Sequence, residues 1–316
     1  MIEQARVAVV GVGNNTSALV QGIALYRETG SLVGIRTPVI DGLGVADIDV
    51  VAAFAASDAK VGKDVTEAIF LPPNNFPRLA AALPPAGVPV TRGLVDSGGI
   101  DRVAAALAGA ETEVLLYSAP SGRPDTARAY AQAAHDAGVA FVNTTSDPIA
   151  RDPLWIEQFA VAGLPLIGDD LASQFGTSVL HNSLLRLLAE RGLTLTSSYQ
   201  VNLGGTEDFR NLVENPNTKK QSKLNALPAA DKVQVAPLGY LSQLGSQKVA
   251  HLNIEARGWG ETTVSLDVKL KVDDPSGAAG VNIDLIRIAA SALRDGRGGY
   301  PVEASPLLKS PPGTAI

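Results

Sequence analysis

The first residues of the chain join a short apolar strand, a glycine-rich turn and a helical segment without interruption. The strand is predicted at 6–10, the turn is Gly11-Val-Gly-Asn-Asn, and helical spacing extends over 18–26. Glycine allows the backbone to turn tightly and to approach a ligand, and the first N–H groups of a helix attract phosphate. Thr16 stands where a third glycine is usual, so a turn without a ligand is the alternative. Because the turn follows the first strand, we favour dinucleotide binding.

Strand and helix patterns then alternate as far as residue 190. Strands are predicted at 48–54, 113–118 and 139–143, and helices at 100–108 and 125–137. This alternation is typical of a mostly parallel, doubly wound α/β sheet. The segment 64–100 is rich in proline and glycine, and we predict that it forms loops over the cofactor rather than core.

The stretch 168–177 organises the rest of the chain. An apolar run at 160–167, predicted to be a strand, leads into Gly168-Asp169-Asp170, and a helix is predicted at 179–190. Polar residues also end two earlier strands, at Ser118 and Asn143. Ligands of open α/β sheets bind at the carboxyl ends of the strands. We therefore expect polar strand ends at the cofactor site, together with the turn residues Gly11, Gly13, Asn14 and Asn15.

The end of the second strand bears on the choice of cofactor. A dinucleotide-binding unit specific for NAD normally places an acid there, hydrogen-bonded to the ribose. In this chain Ala55, Ala56 and Ser57 come first and Asp58 follows at an unusual offset. We predict Asp58 as the ribose-binding acid and NAD as the cofactor, with NADP left open. Lys60 and Lys63 are interpreted as solvated surface charges rather than a 2′-phosphate site.

The second half of the chain has a different pattern. Alternating segments at 194–203, 248–256 and 261–272 predict antiparallel strands of a second, open sheet. A short helix is predicted at 206–213. Lys219 and Lys223 are four residues apart and share one face if this segment is helical, whereas a solvated basic turn is the alternative. Asp273-Asp274-Pro275 breaks the strand pattern, and a helix at 278–293 and a tail follow.

Composition excludes several classes of protein. The chain has no cysteine, which rules out disulfides, thiolate nucleophiles and zinc–sulfur sites, and it has no clustered histidine pair for a metal site. The net charge of −6 argues against a nucleic-acid partner. No apolar run approaches the ~20 residues of a membrane span, and the N-terminus lacks the layout of a signal peptide. We expect a cytoplasmic protein without a membrane partner.

Seven motifs, in order along the chain, resemble those of the inositol-phosphate synthase family, which makes myo-inositol 1-phosphate from glucose 6-phosphate. The resemblance covers nearly the whole chain and is closest to the short bacterial forms. The motifs are Gly11-Val-Gly-Asn-Asn with Leu19-Val-Gln-Gly-Ile, Gly138-Val-Ala-Phe-Val-Asn143, Gly168-Asp-Asp-Leu-Ala-Ser-Gln, Asn202-Leu-Gly-Gly-Thr-Glu-Asp-Phe, Lys219-Lys-Gln-Ser-Lys223, Ala279-Gly-Val-Asn-Ile-Asp284 and Leu308-Lys-Ser-Pro-Pro312.

The resemblance implies an α/β fold in which a Rossmann-like, doubly wound parallel sheet carries an inserted α+β catalytic domain with an open sheet. Residues 1–175 would form the NAD-binding domain, 176–276 the catalytic and oligomerisation domain, and 277–316 a segment that completes the first domain. The family resemblance also implies a homotetramer and the activity of an intramolecular lyase or isomerase. A hexose 6-phosphate would be oxidised at carbon 5, enolised, closed by an intramolecular aldol reaction and reduced again, with NAD as the cofactor.

The resemblance further assigns roles to residues. Asp169 and Asp170 would lie beside the nicotinamide. Two oxyanions develop in the reaction and require preorganised positive charge, which lysine supplies as a compact cation with three donors. The residues expected to be catalytic are Lys219, Lys223, Lys248, Lys309 and Asp274. Those expected to bind substrate are Ser173, Gln174, Asn202 and Asp208.

Three positions that are charged in the family are neutral here: Ala55, Ala172 and Ser246. Each change removes a charge-assisted contact, and such contacts are the stronger hydrogen bonds. The alternative substrate is therefore another phosphosugar, such as fructose 6-phosphate, which would yield a five-membered cyclitol phosphate. A simple phosphosugar dehydrogenase and a non-catalytic binding protein are further alternatives, and the retained lysines argue against both.

Overall fold

Six parallel strands form the first of two sheets in the computed structural model, which describes residues 4–79, 81–95, 98–214, 217–228, 230–236 and 238–314. The strand order is β3-β2-β1-β4-β5-β6, so the chain winds outward from β1 in both directions. These strands are β1 (Ala5–Val10), β2 (Ile48–Ala55), β3 (Val90–Arg92), β4 (Val114–Tyr117), β5 (Ala140–Asn143) and β6 (Leu166–Ile167). Strands covered on both faces are apolar throughout, as β4 is here.

Helices cover both faces of this sheet, which confirms the doubly wound α/β prediction. One apolar cluster joins one face to the first and last α-helices, and a second cluster joins the other face to three helices from the middle of the chain. The helices up to residue 161 are α1 (Asn14–Thr29), α2 (Val65–Ala68), α3 (Ile100–Gly109), α4 (Pro124–Asp136) and α5 (Pro153–Val161).

The last α-helix, α9 (Asp274–Arg294), returns to the first sheet after the second sheet is complete and packs beside α1. It begins four residues before the predicted start at 278. The Asp273 side chain accepts the N–H of Ser276 at 3.0 Å, and proline is compatible with the first turn of a helix. Asp274 therefore lies at the beginning of α9 instead of in a break.

The second sheet has the order β11-β10-β7-β8, with β9 also paired to β7. β10 runs antiparallel to both β7 and β11, as the alternating pattern predicts, whereas the short β8 and β9 are parallel to β7. These strands are β7 (Thr194–Gly204), β8 (Val233–Val235), β9 (Gly239–Tyr240), β10 (Gln247–Arg257) and β11 (Thr263–Asp273). The helices of this region are α6 (Thr177–Glu190), α7 (Glu207–Glu214) and α8 (Asn217–Asn225).

Two local predictions are wrong. The apolar run 160–167 begins as the end of α5, turns at Gly163, and forms only the short strand β6. A short apolar run does not by itself distinguish a buried helix end from a strand. The segment 64–100 contains α2 and β3, and it contributes Val65, Ile69 and Val90 to the core. The sequence pattern does not predict β3 because this strand is only three residues long and lies among proline and glycine residues.

Five short 3₁₀-helices complete the described structure: Val45–Asp47, Ala230–Lys232, Ser242–Leu244, Trp259–Glu261 and Val302–Leu307. Within the described ranges, no helix is both long and apolar enough to cross a membrane.

Candidate active site

The carboxyl ends of the first sheet open into a cavity of about 540 Å³. Its lining includes the glycine turn and the end of β2. It also includes the beginnings of α6 and α9, parts of α7 and α8, and Lys309. The predicted site residues that line this cavity are Gly11, Gly13, Asn14, Asn15, Ser118, Asp170, Ser173, Asp208, Lys219, Lys223, Lys248, Asp274 and Lys309.

The glycine turn has the geometry of a phosphate cradle. Gly11 has φ = +90°, and a Cβ atom there would lie 2.5 Å from the carbonyl oxygen of Ser118. Gly13 precedes α1 and provides no side-chain cap, so the first N–H groups of the helix remain available to a ligand. Thr16 occupies the third glycine position and donates its hydroxyl to the Gly11 carbonyl at 2.6 Å. The turn therefore fits a dinucleotide without the third glycine.

Asp169 belongs to the protein interior and not to the cavity. Its carboxylate accepts hydrogen bonds from Arg151 Nε at 3.0 Å and from Asn143 Nδ2 at 2.7 Å. Backbone N–H groups of Ile149 and Ala150 also donate to it, at 3.1 and 3.0 Å. Burial raises the pKa of Asp169, although Arg151 opposes this effect. Asn143 and Asp169 are not among the residues that line the cavity, and these hydrogen bonds hold both side chains in the interior, so their assignment to the cofactor stays a prediction.

Asp170, the next residue, binds two lysines inside the cavity. Its Oδ1 atom accepts from Lys219 Nζ at 2.9 Å and from Lys309 Nζ at 2.8 Å, and its Oδ2 atom accepts from Ser222 Oγ at 2.6 Å. Burial alone would raise its pKa, but the two lysines hold the pKa of Asp170 well below its usual range. The same ion pair, with Asp208, raises the pKa of Lys219 despite burial.

Four lysines of the cavity, here called the lysine cluster, differ in their carboxylate partners. They are Lys219, Lys223, Lys248 and Lys309. Lys248 pairs with Asp274, but the Nζ atom of Lys223 has no hydrogen-bond partner among the described residues. Burial and three neighbouring lysines lower the pKa of Lys223 well below its usual value. Burial also lowers the pKa of Lys309 to about 8. The cluster therefore combines lysines that are paired with carboxylates and Lys223, whose lowered pKa favours the neutral amine.

Asp208 projects from α7 into the cavity, where its side chain is accessible to solvent although protein surrounds it on most sides. Desolvation raises the pKa of Asp208, and Lys219 opposes this change. Ser173 lines the cavity near the beginning of α6. Both residues are therefore positioned to meet a ligand.

Three other predicted residues lie outside the cavity. Gln174 is exposed and donates to the carbonyl of Gly34. Asn202 is buried behind the cavity wall, where it accepts from Thr177 Oγ1 at 2.8 Å. Asp58 forms a surface ion pair with Arg92, with its side chain 87% exposed. The structure therefore does not bring Gln174, Asn202 and Asp58 to the cavity, and their assigned binding roles stay predictions.

Lys60 is a site residue that the sequence pattern misses. It is buried, it lines the cavity, and its ammonium group donates to the Val12 carbonyl at 2.6 Å. The prediction of a solvated charge is therefore wrong for Lys60, whereas Lys63 is half-exposed and pairs with Glu67. No local pattern distinguishes the two lysines, because the burial of Lys60 depends on packing against the glycine turn. Ser222 is also missed, although its spacing of three from Lys219 on a helix is a usable signal.

Two of the neutral substitutions lie on the cavity wall, and the third is close to it. Ala55 and Ala172 both line the cavity. Ser246 donates its hydroxyl to Asp273, the residue that caps α9 beside Asp274. The described residues contain no group of three or more histidine, aspartate or glutamate side chains that could hold a metal ion.

Fold and cavity together define a Rossmann-like α/β protein with a lysine-rich site. A family model described as myo-inositol-1-phosphate synthase matches residues 176–275. Inositol-3-phosphate synthase from Mycolicibacterium smegmatis is 38% identical to this chain over 340 residues, covering 97% of this chain and 93% of that protein. The protein of the same name from Mycobacterium tuberculosis strain H37Rv is 37% identical and covers 98% and 91%. The chain belongs to the inositol-3-phosphate synthase family, which confirms the resemblance and the isomerase type of enzyme.

Two solved structures have the same fold as this chain. The crystal structure of Ari2 is 51% identical, superposes with a TM-score of 0.89, and covers 99% of this chain and 94% of Ari2. A myo-inositol-1-phosphate synthase-related protein from Thermotoga maritima has a TM-score of 0.80, covers 98% and 93%, and at 23% identity supports the fold alone.

Proposed function

We propose that this protein catalyses the NAD-dependent, redox-neutral cyclisation of a hexose 6-phosphate, with glucose 6-phosphate converted to myo-inositol 1-phosphate as the default reaction. The observation that carries the proposal is the single cavity that joins the glycine turn to the lysine cluster. Hydride transfer alone does not require four lysines around one substrate. A simple dehydrogenase is therefore the weaker candidate.

The cofactor would bind at the glycine turn, with Gly11, Gly13, Asn14, Asn15 and Ser118 around it. The positive φ of Gly11 and the uncapped start of α1 support this position. When bound there, the dinucleotide would accept a hydride from carbon 5 of the sugar and return it after ring closure. Asp170, which lines the same cavity, would keep Lys219 and Lys309 in place beside the substrate.

The lysine cluster would carry out the proton transfers and stabilise the oxyanions. Lys223 is the best candidate for a general base, because burial and neighbouring cations lower its pKa and favour the neutral amine. Lys219 and Lys309, held by Asp170 and largely buried, would stabilise the enolate and alkoxide oxygens. Lys248, held by Asp274, would contribute to binding the substrate phosphate near Ser173, and Asp208 would line the pocket of the sugar.

The alternative product is a five-membered cyclitol phosphate formed from fructose 6-phosphate. Ala172 supports it, since a small neutral side chain on the cavity wall replaces a family cation and changes both the volume and the charge that the sugar meets. We also propose the three-part division at residues 175 and 276 and a cytoplasmic homotetramer. The exposed edge strand β11 is compatible with contacts between subunits.

The test is product identification. Purified protein would be incubated with NAD⁺ and either glucose 6-phosphate or fructose 6-phosphate, and the products followed by phosphorus and proton NMR. Inositol phosphate from glucose 6-phosphate, without net NADH, supports the default reaction. A cyclopentane product from fructose 6-phosphate supports the alternative. Stoichiometric NADH accumulation would contradict cyclisation and support a dehydrogenase.

A further inference from the structure

The ammonium group of Lys60 lies inside the protein beside the glycine turn. The residue is 3% exposed, and its Nζ atom donates to the Val12 carbonyl at 2.6 Å and to Asn74 Oδ1 at 2.9 Å. An ammonium group has three N–H donors, and the third has no acceptor among the described residues. Because Lys60 also lines the cavity, this donor is available to a ligand bound at the turn.

The charge of Lys60 has no carboxylate partner in the described part of the chain. Asp58, the nearest acid in sequence, is directed outward and pairs with Arg92. Burial lowers the pKa of Lys60 to about 8, with no charged group contributing to the shift. A buried cation is unfavourable unless an anion balances it, and Lys219 shows the balanced arrangement in the same cavity. An anionic ligand would provide the missing partner.

We propose that Lys60 binds a phosphate group on the adenosine side of the dinucleotide. The end of β2, next to Lys60, is where this fold places the adenosine ribose. The inference rests on the proposed function, because it requires a dinucleotide in this cavity. Two phosphates have the required chemistry: the pyrophosphate that NAD and NADP share, and the 2′-phosphate that NADP alone carries.

The test measures the dissociation constants of NAD⁺ and NADP⁺ by isothermal titration calorimetry. The variants are Lys60→Met, which removes charge and donors, and Lys60→Gln, which keeps a donor for the Val12 carbonyl but removes the charge. Lys63→Met is the matched control, since Lys63 is half-exposed and pairs with Glu67. Loss of a charge-assisted hydrogen bond should weaken binding roughly tenfold or more in both Lys60 variants. The Lys63 variant should remain within about twofold of the wild type.

Thermal melts establish that each variant is folded. If Lys60→Met does not fold, the binding constants of Lys60→Gln are compared with those of the wild type. Equal losses for the two dinucleotides support contact with the pyrophosphate, and a larger loss for NADP⁺ supports contact with the 2′-phosphate. Wild-type affinity in both Lys60 variants would overturn the inference and leave the proposed function intact. Failure of the wild-type protein to bind either dinucleotide would refute both.

Discussion

The loop after β6 separates two buried charged regions that differ in how their charges are balanced. Behind the loop, Asp169 accepts hydrogen bonds from Arg151, Asn143 and backbone N–H groups, and Arg151 also donates to the Ser146 carbonyl at 2.9 Å. On the cavity side of the loop, Asp170 accepts hydrogen bonds from two lysines, and Lys223 has no carboxylate paired with it. The protein pairs the charges of the interior region, whereas in the cavity region Lys223 has no carboxylate to hold its charge and its neutral amine is favoured. Two adjacent, chemically identical side chains thus lie in different environments, and we propose that Asp169 supports the fold and Asp170 the chemistry.

The largest expected effect is on stability, at Asp169. Asp169→Asn keeps the size of the side chain but removes the carboxylate that pairs with the buried Arg151 guanidinium, and breaking such a pair costs about 3–5 kcal/mol. We expect the free energy of unfolding in urea to fall by that amount. Asp125→Asn is the control, because its ion pair with Arg128 is at the surface and should contribute no more than about 1 kcal/mol. Equal stability of the two variants would show that the interior region is not balanced by Asp169.

Asp170→Asn should instead affect catalysis. The amide can still accept the Ser222 hydroxyl, but it no longer fixes the charges of Lys219 and Lys309. We expect kcat to fall roughly 100- to 1,000-fold, the usual cost of losing one preorganised electrostatic group. The assay is turnover of whichever phosphosugar the product analysis identifies. The melting temperature should change less than in Asp169→Asn. A variant with normal kcat and reduced stability would assign Asp170 to the fold instead.

The sequence predicts much of the fold and of the cavity lining, but not which buried charges are paired. The alternating pattern predicts the parallel sheet, the glycine turn predicts the phosphate cradle, and the spacing of Lys219 and Lys223 predicts a shared helix face. The different directions of Asp169 and Asp170 were not predictable, because they depend on a loop in which Asp170 has φ = +55°. The burial of Lys60 likewise depends on contacts between segments distant in sequence. Local patterns locate elements and their edges, whereas tertiary packing decides which charge is balanced.

A third buried region contains a histidine side chain, His181, that the folded protein keeps neutral. His181 has its Nε2 atom 2.7 Å from Ser198 Oγ, and Gln200 Nε2 lies 3.4 Å from its Nδ1 atom. Burial lowers the pKa of His181 from 6.5 to about 4. Below pH 6.5 the unfolded chain therefore binds a proton that the folded protein does not, so this stabilisation is complete above pH 6.5 and is lost as pH falls toward 4.

The contribution of His181 to the free energy of unfolding should decrease by about 2 kcal/mol between pH 7.5 and pH 5. Urea unfolding of the wild type and of His181→Gln at both pH values measures it. Groups common to both proteins cancel in the double difference, so the variant should lose about 2 kcal/mol less than the wild type over this interval. Its stability at pH 7.5 should be lower, because Ser198 loses its ring partner. The same pH dependence in both proteins would show that His181 is protonated in the fold, and the region would then resemble the lysine cluster in holding a buried charge.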